Sequence, residues 1–392
     1  PHITSGTVED GEEFFVTDGK PLTAVFYNQN TRSSDYEAVK YIPRPSHADY
    51  TSYIKYGDAM DRSGGGMFSG RMTLPVCFAG AIVLQIMETM GIEIFAHIAG
   101  VGEIADRAFD PVRPKKEEVV KDFPVLDEAA GKRMVELMTQ TAEEGDSIGG
   151  VIECAVTGLR AGVGEPLYDS MESTISHFIF GIPAVKGIAF GSGFDCSGMK
   201  GSECNDPFII SGNEVKTMTN HSGGIQGGIS NGMPILFKVV MKPTPSIYKE
   251  QRTVNMKELT ETVLSLKGRH DPCIVPRAVP CIEAACAIAV YDLILQGRKD
   301  APDLTALRSR IDRLDSAIAE LLSERMDAAA GIAEVKKNDN LPVENPQREA
   351  EVLQHVGYIA GDQKEEYVKN IYKSLMKETG RYEESLMKET VS

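Results

Sequence analysis

One stretch, residues 220–272, concentrates groups that could bind an anion and move a proton. It contains the glycine-rich run NHSGGIQGGISNG at 220–232, the apolar run Ile235–Met241, KPTPS at 242–246, and the adjacent residues Arg269, His270 and Asp271. Successive amide groups with no Cβ in the way can accept an anion. A fixed cation, an imidazole and a carboxylate side by side could bind a charge and transfer a proton. Composition alone leaves open a plain surface loop and a solvated charged triplet.

Two earlier segments carry similar but weaker signals. His47 follows Pro45 in RPSHADYT, and Asp49 is near enough in sequence to lie on the same loop. A single histidine is more often structural than catalytic, so spacing alone does not decide the role of His47. The second segment, DRSGGGMFSGR at 61–71, is a glycine-rich loop before a predicted apolar helix, whose start is a candidate phosphate seat.

The elements that must position these groups are strands and helices in mixed order along the first three quarters of the chain. Strands are predicted at 22–27, 149–159 and Ile235–Met241, and helices at 72–90, 132–142 and 278–296, with a helix, turn and strand over 164–194. His97 and His177, both among apolar residues, are interpreted as core histidines.

The bulk composition excludes some classes of protein. The chain has 392 residues, 42% hydrophobic and 25% charged, with a formal net charge of −16, which argues against a nucleic-acid partner. Seven cysteines without a CxxC pair indicate a reduced, cytoplasmic protein. No apolar segment is expected to reach the roughly 18–20 residues of a membrane span. Because the chain starts at Pro1 in mid-pattern, we expect that an N-terminal piece is missing.

The last quarter is helical. Apolar residues at three- and four-residue steps predict a helix over 304–337, and two further helices follow at about 347–356 and 364–388. Arg325 takes a position between Leu321 and Ala328 where the pattern calls for an apolar residue, so an anion should face it. Lys336 lies about 20° away around this helix, and Arg308 about 100° away, towards another site. An antiparallel coiled-coil oligomerisation module is the alternative.

The motifs RPSHADYT, GGGMFSGR, IPAVKG, NHSGGIQGGIS, KPTPS and GRHDPCIVPRAVPCIEA, in this order, resemble chorismate synthase over about 17–296. The resemblance implies an α+β fold, a β-α-β sandwich that assembles into a tetramer. It implies an anti-1,4-elimination of phosphate from 5-enolpyruvylshikimate 3-phosphate that requires reduced FMN without net redox change. NADPH is a candidate reductant.

The resemblance also implies roles for individual residues. His47 would protonate the reduced flavin, and Asp271 would act as a base near its N5. The expected FMN contacts are Met67, Phe68, Ser69, Pro183, Ala184, Gly227, Lys242, Pro243, Thr244, Pro245, Ser246 and Arg269. Two positions depart from the family pattern, since Ser46 replaces the usual glycine and Met67 a frequent arginine. The family's N-terminal Gly-Glu-Ser-His-Gly segment has no counterpart here, so we expect slow elimination.

The tail, LTALRSRIDRLDSAIAELLSER followed by Lys336, Arg348 with Glu349, and TGRYE, is similar to the three-helix, all-α chorismate mutase over about 304–387. That family is an intertwined dimer that rearranges chorismate to prephenate without metal or cofactor. The resemblance implies that Arg325, Lys336 and Arg348 hold the carboxylates and ether oxygen of chorismate, that Glu349 binds its hydroxyl, and that Arg308 reaches the partner's site.

Glu383 stands where many members of this family have glutamine near the ether oxygen. A glutamate donates a hydrogen bond only when it is protonated, so the resemblance predicts that mutase activity falls as the pH rises.

The sequence therefore predicts a bifunctional shikimate-pathway enzyme, a lyase and an isomerase in one homo-oligomeric chain. Its expected parts are a synthase domain at 1–296, a linker at 297–303 and a mutase domain at 304–392, with small anionic substrates and no nucleic acid or membrane partner. The alternative is a synthase whose tail is a non-catalytic dimeriser or a ligand sensor.

Overall fold

The computed structural model describes residues 2–10, 14–17, 19–27, 41–59, 63–212, 214–266, 270–297, 304–339, 341–361 and 363–389. The chain divides into two units, Pro1–Lys299 and Asp300–Ser392, which are described separately. Arg269, and the predicted linker 297–303 apart from Gly297, lie outside the described residues.

The first unit contains strands and helices in mixed order. In chain order they are β1 (His2–Ser5), β2 (Thr7–Asp10), β3 (Phe14–Thr17), β4 (Thr23–Val25), α1 (Asp49–Tyr56), α2 (Thr73–Glu88), β5 (Glu93–Val101), β6 (Ile104–Ala105), α3 (Glu128–Glu143), β7 (Gly150–Thr157), α4 (Met171–Phe180), β8 (Val185–Phe190), α5 (Gly201–Cys204), β9 (Phe208–Ser211), β10 (Glu214–Thr217), β11 (Ile225–Gln226), β12 (Ile229–Ser230), β13 (Ile235–Met241), β14 (Gln251–Asn255), β15 (Thr260–Leu264) and α6 (Val275–Gln296). The α+β prediction is confirmed.

A five-stranded antiparallel sheet, in the order β6-β5-β7-β13-β8, forms the centre of this unit. Strand β13 pairs with β7 along its whole length, from Ile235 opposite Val156 to Met241 opposite Gly150. The other described strands form two-stranded ribbons, β1-β4, β2-β3, β9-β10, β11-β12 and β14-β15. The buried β13 strand ends at Met241, so KPTPS begins directly at the end of this strand.

One face of the sheet packs on the apolar helix α6. Ile98, Ile152 and Val239 from the strands share a core with Val279, Ile282 and other residues of this helix. Helices α2 and α4 pack against α6 in turn. A Cβ on Gly80 of α2 would lie 2.3 Å from the Cβ of Ala284, so this glycine allows the close approach of the two helices. Cys281 and Cys286 are core residues, as predicted.

The other face of the sheet carries a buried polar network. His97 on β5 is fully buried, with Nδ1 3.1 Å from a carboxylate oxygen of Asp106 and Nε2 2.9 Å from one of Glu153. Phe109 packs on the His97 ring, with centroids 4.5 Å apart. The prediction of a satisfied core histidine is confirmed for His97. It is wrong for His177, which lies on an exposed face of α4.

Two helices of this unit are long and apolar enough to cross a membrane by length and composition, Val275–Gln296 and the extended segment Gly70–Glu88. The expectation that no segment reaches this length is therefore wrong. The first of them is the core helix α6, in which 67% of the most apolar 18-residue window is buried. The second contains α2 and packs on α6. Core helices of globular proteins meet the same criteria, so length and composition decide nothing here.

The second unit contains three helices, as predicted: α7 (Leu304–Asn338), α8 (Pro346–Ala360) and α9 (Glu365–Glu389). At 1.5 Å per residue the 35 residues of α7 span about 52 Å. The side chain of Asn345 accepts a hydrogen bond from the backbone N–H of Arg348 and caps α8, which begins with Pro346. Gly361, with φ at 71°, ends that helix.

Helix α9 packs on a narrow face of α7, where Ala329 and Ala333 are buried, and α8 packs on α9. The apolar stripe that predicted α7 lies beside this face and is exposed within the described unit. Its exposed members are Ile311, Leu314, Ile318, Leu321, Ile332 and Val335. The seam expected at Ala328 is displaced by one residue, to Ala329 and Ala333, whose small side chains are buried.

Candidate active sites

A cleft in the first unit is lined by segments that are far apart in sequence. They are the loop before α1 with its first turn, the turns before α2, the α4–β8 connection, the residues after β13, and the approach to α6 with its first two turns. The cleft has a volume of about 1640 Å³. A single small-molecule pocket usually measures roughly 300–1,000 Å³, so this cleft has room for two bound molecules side by side.

His47 is held by an ion pair in the loop before α1. Oδ1 of Asp49 lies 2.7 Å from Nδ1 of His47. The same carboxylate accepts hydrogen bonds from Arg44 at Nε (2.8 Å), Nη2 (2.9 Å) and the backbone N–H (3.0 Å). Burial opposes the ionisation of Asp49, but the hydrogen bonds from Arg44 and His47 outweigh it and hold its pKa well below the usual value. The imidazole therefore sits beside a permanently charged pair.

The residue before His47 has a strained backbone. Ser46 has φ at 60°, in the left-handed region that favours glycine. Its carbonyl oxygen accepts a hydrogen bond of 2.6 Å from Nζ of Lys242. The left-handed backbone at Ser46 is consistent with the glycine that the resemblance implies at this position.

The KPTPS segment after β13 joins the two groups that were predicted to move protons. Nη1 of Arg44 donates to Oγ of Ser246 at 3.1 Å, and Lys242 bonds the carbonyl of Ser46. On the other side, the Thr244 hydroxyl donates to the backbone carbonyl of Asp271 at 3.0 Å. One extended segment therefore fixes the loop of His47 and the loop of Asp271 relative to each other.

Asp271 is paired with a residue that the sequence reasoning did not assign. Its Oδ2 lies 2.9 Å from Nη1 of Arg277, at the start of α6. The neighbouring His270 packs on the Tyr248 ring, with centroids 5.6 Å apart. Burial, with a smaller contribution from the positive charge of Arg44, lowers the pKa of His270. The lining therefore places a carboxylate and an imidazole side by side.

The described lining of the cleft is strongly cationic although the chain is acidic overall. It contains five Lys or Arg residues, Arg44, Arg71, Lys186, Lys242 and Arg277, and one carboxylate, that of Asp271. Burial lowers the pKa of Lys242, and the positive charge of Lys186 lowers it further. Two like charges this close favour an anion bound beside them, because an anion offsets both their desolvation and their repulsion.

Most of the predicted flavin contacts lie together in this cleft. The lining contains Met67, Phe68, Ser69, Pro183, Ala184, Lys242, Thr244, Pro245 and Ser246, together with His47 and Asp271. Pro243 and Gly227 are not among the lining residues. Of the lining cations, Lys186 and Arg277 lie inside the motifs IPAVKG and HDPCIVPRA, but only the three-dimensional structure places them at the cleft.

The glycine-rich run 220–232 has a structural explanation that differs from the predicted anion seat. A Cβ on Gly223 or Gly224 would lie 2.4 Å from backbone atoms of Gly191 or Pro234, so these glycines permit close backbone packing. The side-chain amide of Asn220 donates to the carbonyls of Pro111 and Pro234. Only Gly227, in the turn between β11 and β12 with φ at 61°, faces open space.

In the second unit, two pairs of side chains meet between α7 and α9. Nη1 of Arg325 donates to the hydroxyl of Thr379, which the sequence reasoning did not assign. Nζ of Lys336 donates to Oε2 of the buried Glu383 and to the carbonyl of Val343, both at 2.7 Å. Arg325 and Lys336 therefore share one face of α7, as the helical spacing predicted.

The other predicted mutase residues are not gathered at this place. Arg348 is 69% exposed and pairs with Glu351 at 2.9 Å, and Glu349 is exposed. Arg308 is exposed on α7, seventeen residues before Arg325. At 1.5 Å per residue the two lie about 26 Å apart along the helix, so they cannot serve one site within a single chain.

Comparison with known families assigns both units. Residues 1–295 match the family model of chorismate synthase, and residues 307–384 match that of chorismate mutase type II. The chorismate synthase of Dehalococcoides mccartyi is 44% identical over 306 residues, covering 75% of this chain and 83% of that protein. The enzyme of Methanobrevibacter smithii is 43% identical over 283 residues, covering 71% and 77%.

A crystal structure of chorismate synthase matches the fold with a TM-score of 0.53 at 22% identity, covering 69% of this chain and 76% of that one. The two families catalyse consecutive steps, formation of chorismate by a lyase and its rearrangement by an isomerase. The chain is therefore a bifunctional enzyme of the shikimate pathway and of aromatic amino acid biosynthesis. It belongs to the chorismate synthase family and carries a chorismate mutase type II domain after its synthase domain.

Proposed function

We propose that the cleft of the first unit binds FMN together with 5-enolpyruvylshikimate 3-phosphate. The observation that carries this proposal is the KPTPS segment, which holds the loops of His47 and Asp271 together in a lining with five cations. Both molecules are phosphate esters, and the second also has two carboxylates, so a cationic lining fits them. A Cβ on Gly70 would meet no atom within 4 Å, which leaves open backbone for a ligand beside Ser69.

In this proposal the flavin contacts are Met67–Ser69, Pro183 with Ala184, and Lys242–Ser246. Ala184 has φ at 72°, a cost of about 1 kcal/mol or more for a residue with a Cβ. Its carbonyl accepts the backbone N–H of Lys242 at 2.9 Å. This contact keeps two of the proposed flavin-binding segments side by side. Gly227 and Arg269 remain proposed contacts from the resemblance alone.

Proton movement falls to the two groups that KPTPS connects. His47 holds a proton at Nε2, the ring nitrogen that is not engaged by Asp49. Asp271 acts as the base near N5 of the flavin, and its Oδ2 lies 2.9 Å from Nη1 of Arg277. Reduced flavin, when bound, supplies electrons and recovers them, since the elimination has no net redox change. NADPH is the proposed reductant.

The experiment is a titration of FMN into the intact chain and into Lys242→Gln. Loss of one partly exposed cation next to a phosphate should weaken binding by about tenfold or more. Lys249→Gln is the matched control, because Lys249 pairs with Asp146 and is not among the lining residues. Equal FMN affinity for Lys242→Gln and the wild type, or no binding by the wild type, would contradict the proposed cofactor site.

For the second unit we propose that chorismate displaces the internal pairs seen between α7 and α9. Arg325 and Lys336 would exchange Thr379 and Glu383 for the carboxylates and ether oxygen of chorismate. Arg348 and Glu349, one helical turn into α8, would close on the ligand from the exposed side. The rearrangement is unimolecular, so holding the compact conformer and stabilising charge at the ether oxygen is the whole catalytic task.

Arg308 completes this site from a second copy of the chain in our proposal. Two observations support a dimer: the distance of about 26 Å along the helix from Arg325, and the exposed stripe of Ile311, Leu314 and Ile318 beside Arg308. A helix of about 52 Å with such a stripe requires a packing partner along its first half. For the synthase unit the resemblance supports a tetramer.

A complementation experiment tests the shared site. Arg308→Ala and Arg325→Ala chains, each inactive alone, are co-expressed. Half of the randomly formed dimers are then mixed, and one of the two sites in each mixed dimer is intact, which restores about a quarter of the wild-type mutase activity. If each site lay within a single chain, no activity would return.

We also propose a cytoplasmic location, because all seven cysteines are free thiols, which suits a reducing compartment. The units are proposed to act as separate domains at 1–296 and 304–392, joined by the linker 297–303.

A further inference from the structure

The two partners of His47 Nδ1 make opposite demands on it. Oδ1 of Asp49 lies 2.7 Å away and Nη2 of Arg44 lies 3.1 Å away. An ionised carboxylate only accepts hydrogen bonds and a guanidinium only donates them. The first contact therefore requires a proton on Nδ1, and the second would require a lone pair there. Only one of the two contacts is a hydrogen bond at any time.

The geometry favours Asp49. Its contact is the shorter one, and the N–H groups of Arg44 have other acceptors. Nη2 donates to Oδ1 of Asp49 at 2.9 Å, Nε donates to Oδ2 at 2.8 Å, and Nη1 donates to Ser246 at 3.1 Å. Arg44 therefore loses nothing when Nδ1 is protonated, whereas Asp49 gains a charge-assisted acceptor contact.

We propose that Asp49 is a positioning residue, which keeps Nδ1 of His47 protonated so that Nε2, the nitrogen left for the cleft, is the one that gains and loses a proton. This inference rests on the proposed role of His47 as proton donor. Arg44 also contributes to this positioning. It donates three hydrogen bonds to the Asp49 carboxylate and one to the hydroxyl of Ser246.

The proton balance of the step is simple. If a bound cofactor took up the proton from Nε2, the ring would become neutral and would keep its Nδ1–H bond to Asp49. Asp49 and Arg44 keep their charges throughout. Lys242 is bonded to the carbonyl of Ser46 and adds a positive charge near this loop, and the titratable His270 lies within the field of Arg44. The charge of Lys242 opposes a second positive charge on the His47 ring, and the Asp49 carboxylate offsets this effect.

The direct test is the tautomer of His47 in the ligand-free, intact chain. Selective ¹⁵N-histidine labelling and solid-state NMR distinguish protonated from unprotonated ring nitrogens at any molecular size, and His47→Gln assigns the signal among the seven histidines. For the neutral ring we expect protonated Nδ1 and unprotonated Nε2. The opposite tautomer in the wild type would overturn the proposal without any variant.

Variants then separate the two partners. In Asp49→Ala the remaining neighbour of Nδ1 is the Arg44 donor, so the proton should move to Nε2. In Arg44→Met the carboxylate remains, so the wild-type tautomer should persist. Asp292→Asn, on the exposed side of α6, is the control and should change nothing. An Asp49→Ala chain that folds with Nδ1 still protonated, or an Arg44→Met chain with the proton on Nε2, would overturn the inference.

The rate of the lyase reaction separates the proposed role of His47 from the proposed role of Asp49. If His47 donates the proton, Asp49→Ala should lower kcat of the lyase reaction by about 100-fold, with a small change in KM, and Asp49→Glu should recover part of it. If His47→Gln leaves kcat unchanged, the proposed role of His47 fails, while the tautomer result still decides whether Asp49 positions the ring.

Discussion

The proposed sites of the two units, both for small anions, have opposite construction. In the cleft, loops that are about 200 residues apart are joined by hydrogen bonds such as Arg44 to Ser246, so the polar groups are already arranged within one chain. In the second unit, the cations lie on helices. Arg325 and Lys336 contact side chains of α9, and Arg308, Arg348 and Glu349 lie away from these two contacts. The first site is preorganised, and the second must be assembled.

Chemistry explains this difference. An elimination that moves a proton needs an imidazole and a carboxylate at fixed positions, and the polar contacts of KPTPS provide them. A unimolecular rearrangement needs only that charges enclose the substrate, so a site that closes around its ligand is sufficient. We therefore expect substitutions in the second unit to affect binding and catalysis together, and those around His47 to affect mainly kcat.

Arg325→Ala should have the largest effect. It removes a partly buried cation that is proposed to face the substrate carboxylate and ether oxygen, so mutase kcat/KM should fall by about 10²–10³-fold, while FMN binding stays unchanged. The measurement is the rate of chorismate loss by the intact chain. Arg381→Ala, an exposed arginine of α9 paired with Glu378, is the control. A mutase rate within twofold of the wild type would show that the second unit is not a mutase built on Arg325.

Glu283→Gln should distinguish the two units by the pH dependence of stability. Burial in the core of the first unit, partly offset by a hydrogen bond from Ala96 and the charge of Lys116, raises the pKa of Glu283 to about 7 from the usual 4.5. The folded state therefore keeps a proton that the unfolded state has lost. The stability from this group is complete below pH 4.5 and falls as the pH rises to 7, by about 3 kcal/mol in total.

The measurement is calorimetric unfolding of the intact chain from pH 5 to 8. Glu283→Gln should raise the unfolding temperature of the first unit relative to the wild type at pH 8 more than at pH 5, and leave that of the second unit unchanged. Glu250→Gln, at an exposed position, is the control. Equal differences at both pH values would refute a raised pKa at Glu283.

Glu383→Gln tests whether the mutase site depends on a protonated carboxyl. A glutamine donates at every pH, so the decline of mutase activity with rising pH should flatten, with a gain of about tenfold at the alkaline end. The internal bond from Lys336 sharpens this test, because the ligand-free carboxylate serves as an acceptor and must change its role when substrate binds. Glu384→Gln is the control. An unchanged pH profile would remove Glu383 from the reaction.

Ser46→Val should have the smallest effect and should be confined to the first unit. A β-branched residue at a φ of 60° costs about 1 kcal/mol more than serine, so the free energy of unfolding should fall by this amount and FMN should bind more weakly. Ser46→Gly, which adopts this backbone freely, should keep the wild-type affinity. If Ser46→Val binds FMN as tightly as the wild type, the loop of His47 is less fixed than its contacts indicate.

The same contrast explains what could be predicted from sequence. Arg325 and Lys336 lie on one continuous helix, and helical geometry alone places them on one face. Asp49 was expected on the loop of His47, but its bonds to Arg44 and the distant Ser246 depend on tertiary packing. Arg277 was missed as the partner of Asp271 for the same reason.

The glycine-rich run shows the converse error. Its composition suggested an anion seat, but a missing Cβ serves close backbone packing equally well, and packing explains Gly223 and Gly224. Similarly, the apolar stripe of α7 predicted a helix correctly but not the face that α9 covers. Composition indicates that a backbone segment or an apolar face packs against something. Only the fold shows whether the partner is a ligand or another part of the chain.

The central claim is that one chain carries two independent active sites, of which the second needs no cofactor. The most direct measurement is the conversion of chorismate to prephenate by the intact wild-type chain without added flavin. We predict saturable turnover that is unaffected when FMN is then added. A rate no higher than that of the uncatalysed rearrangement, or one that requires FMN, would contradict the account.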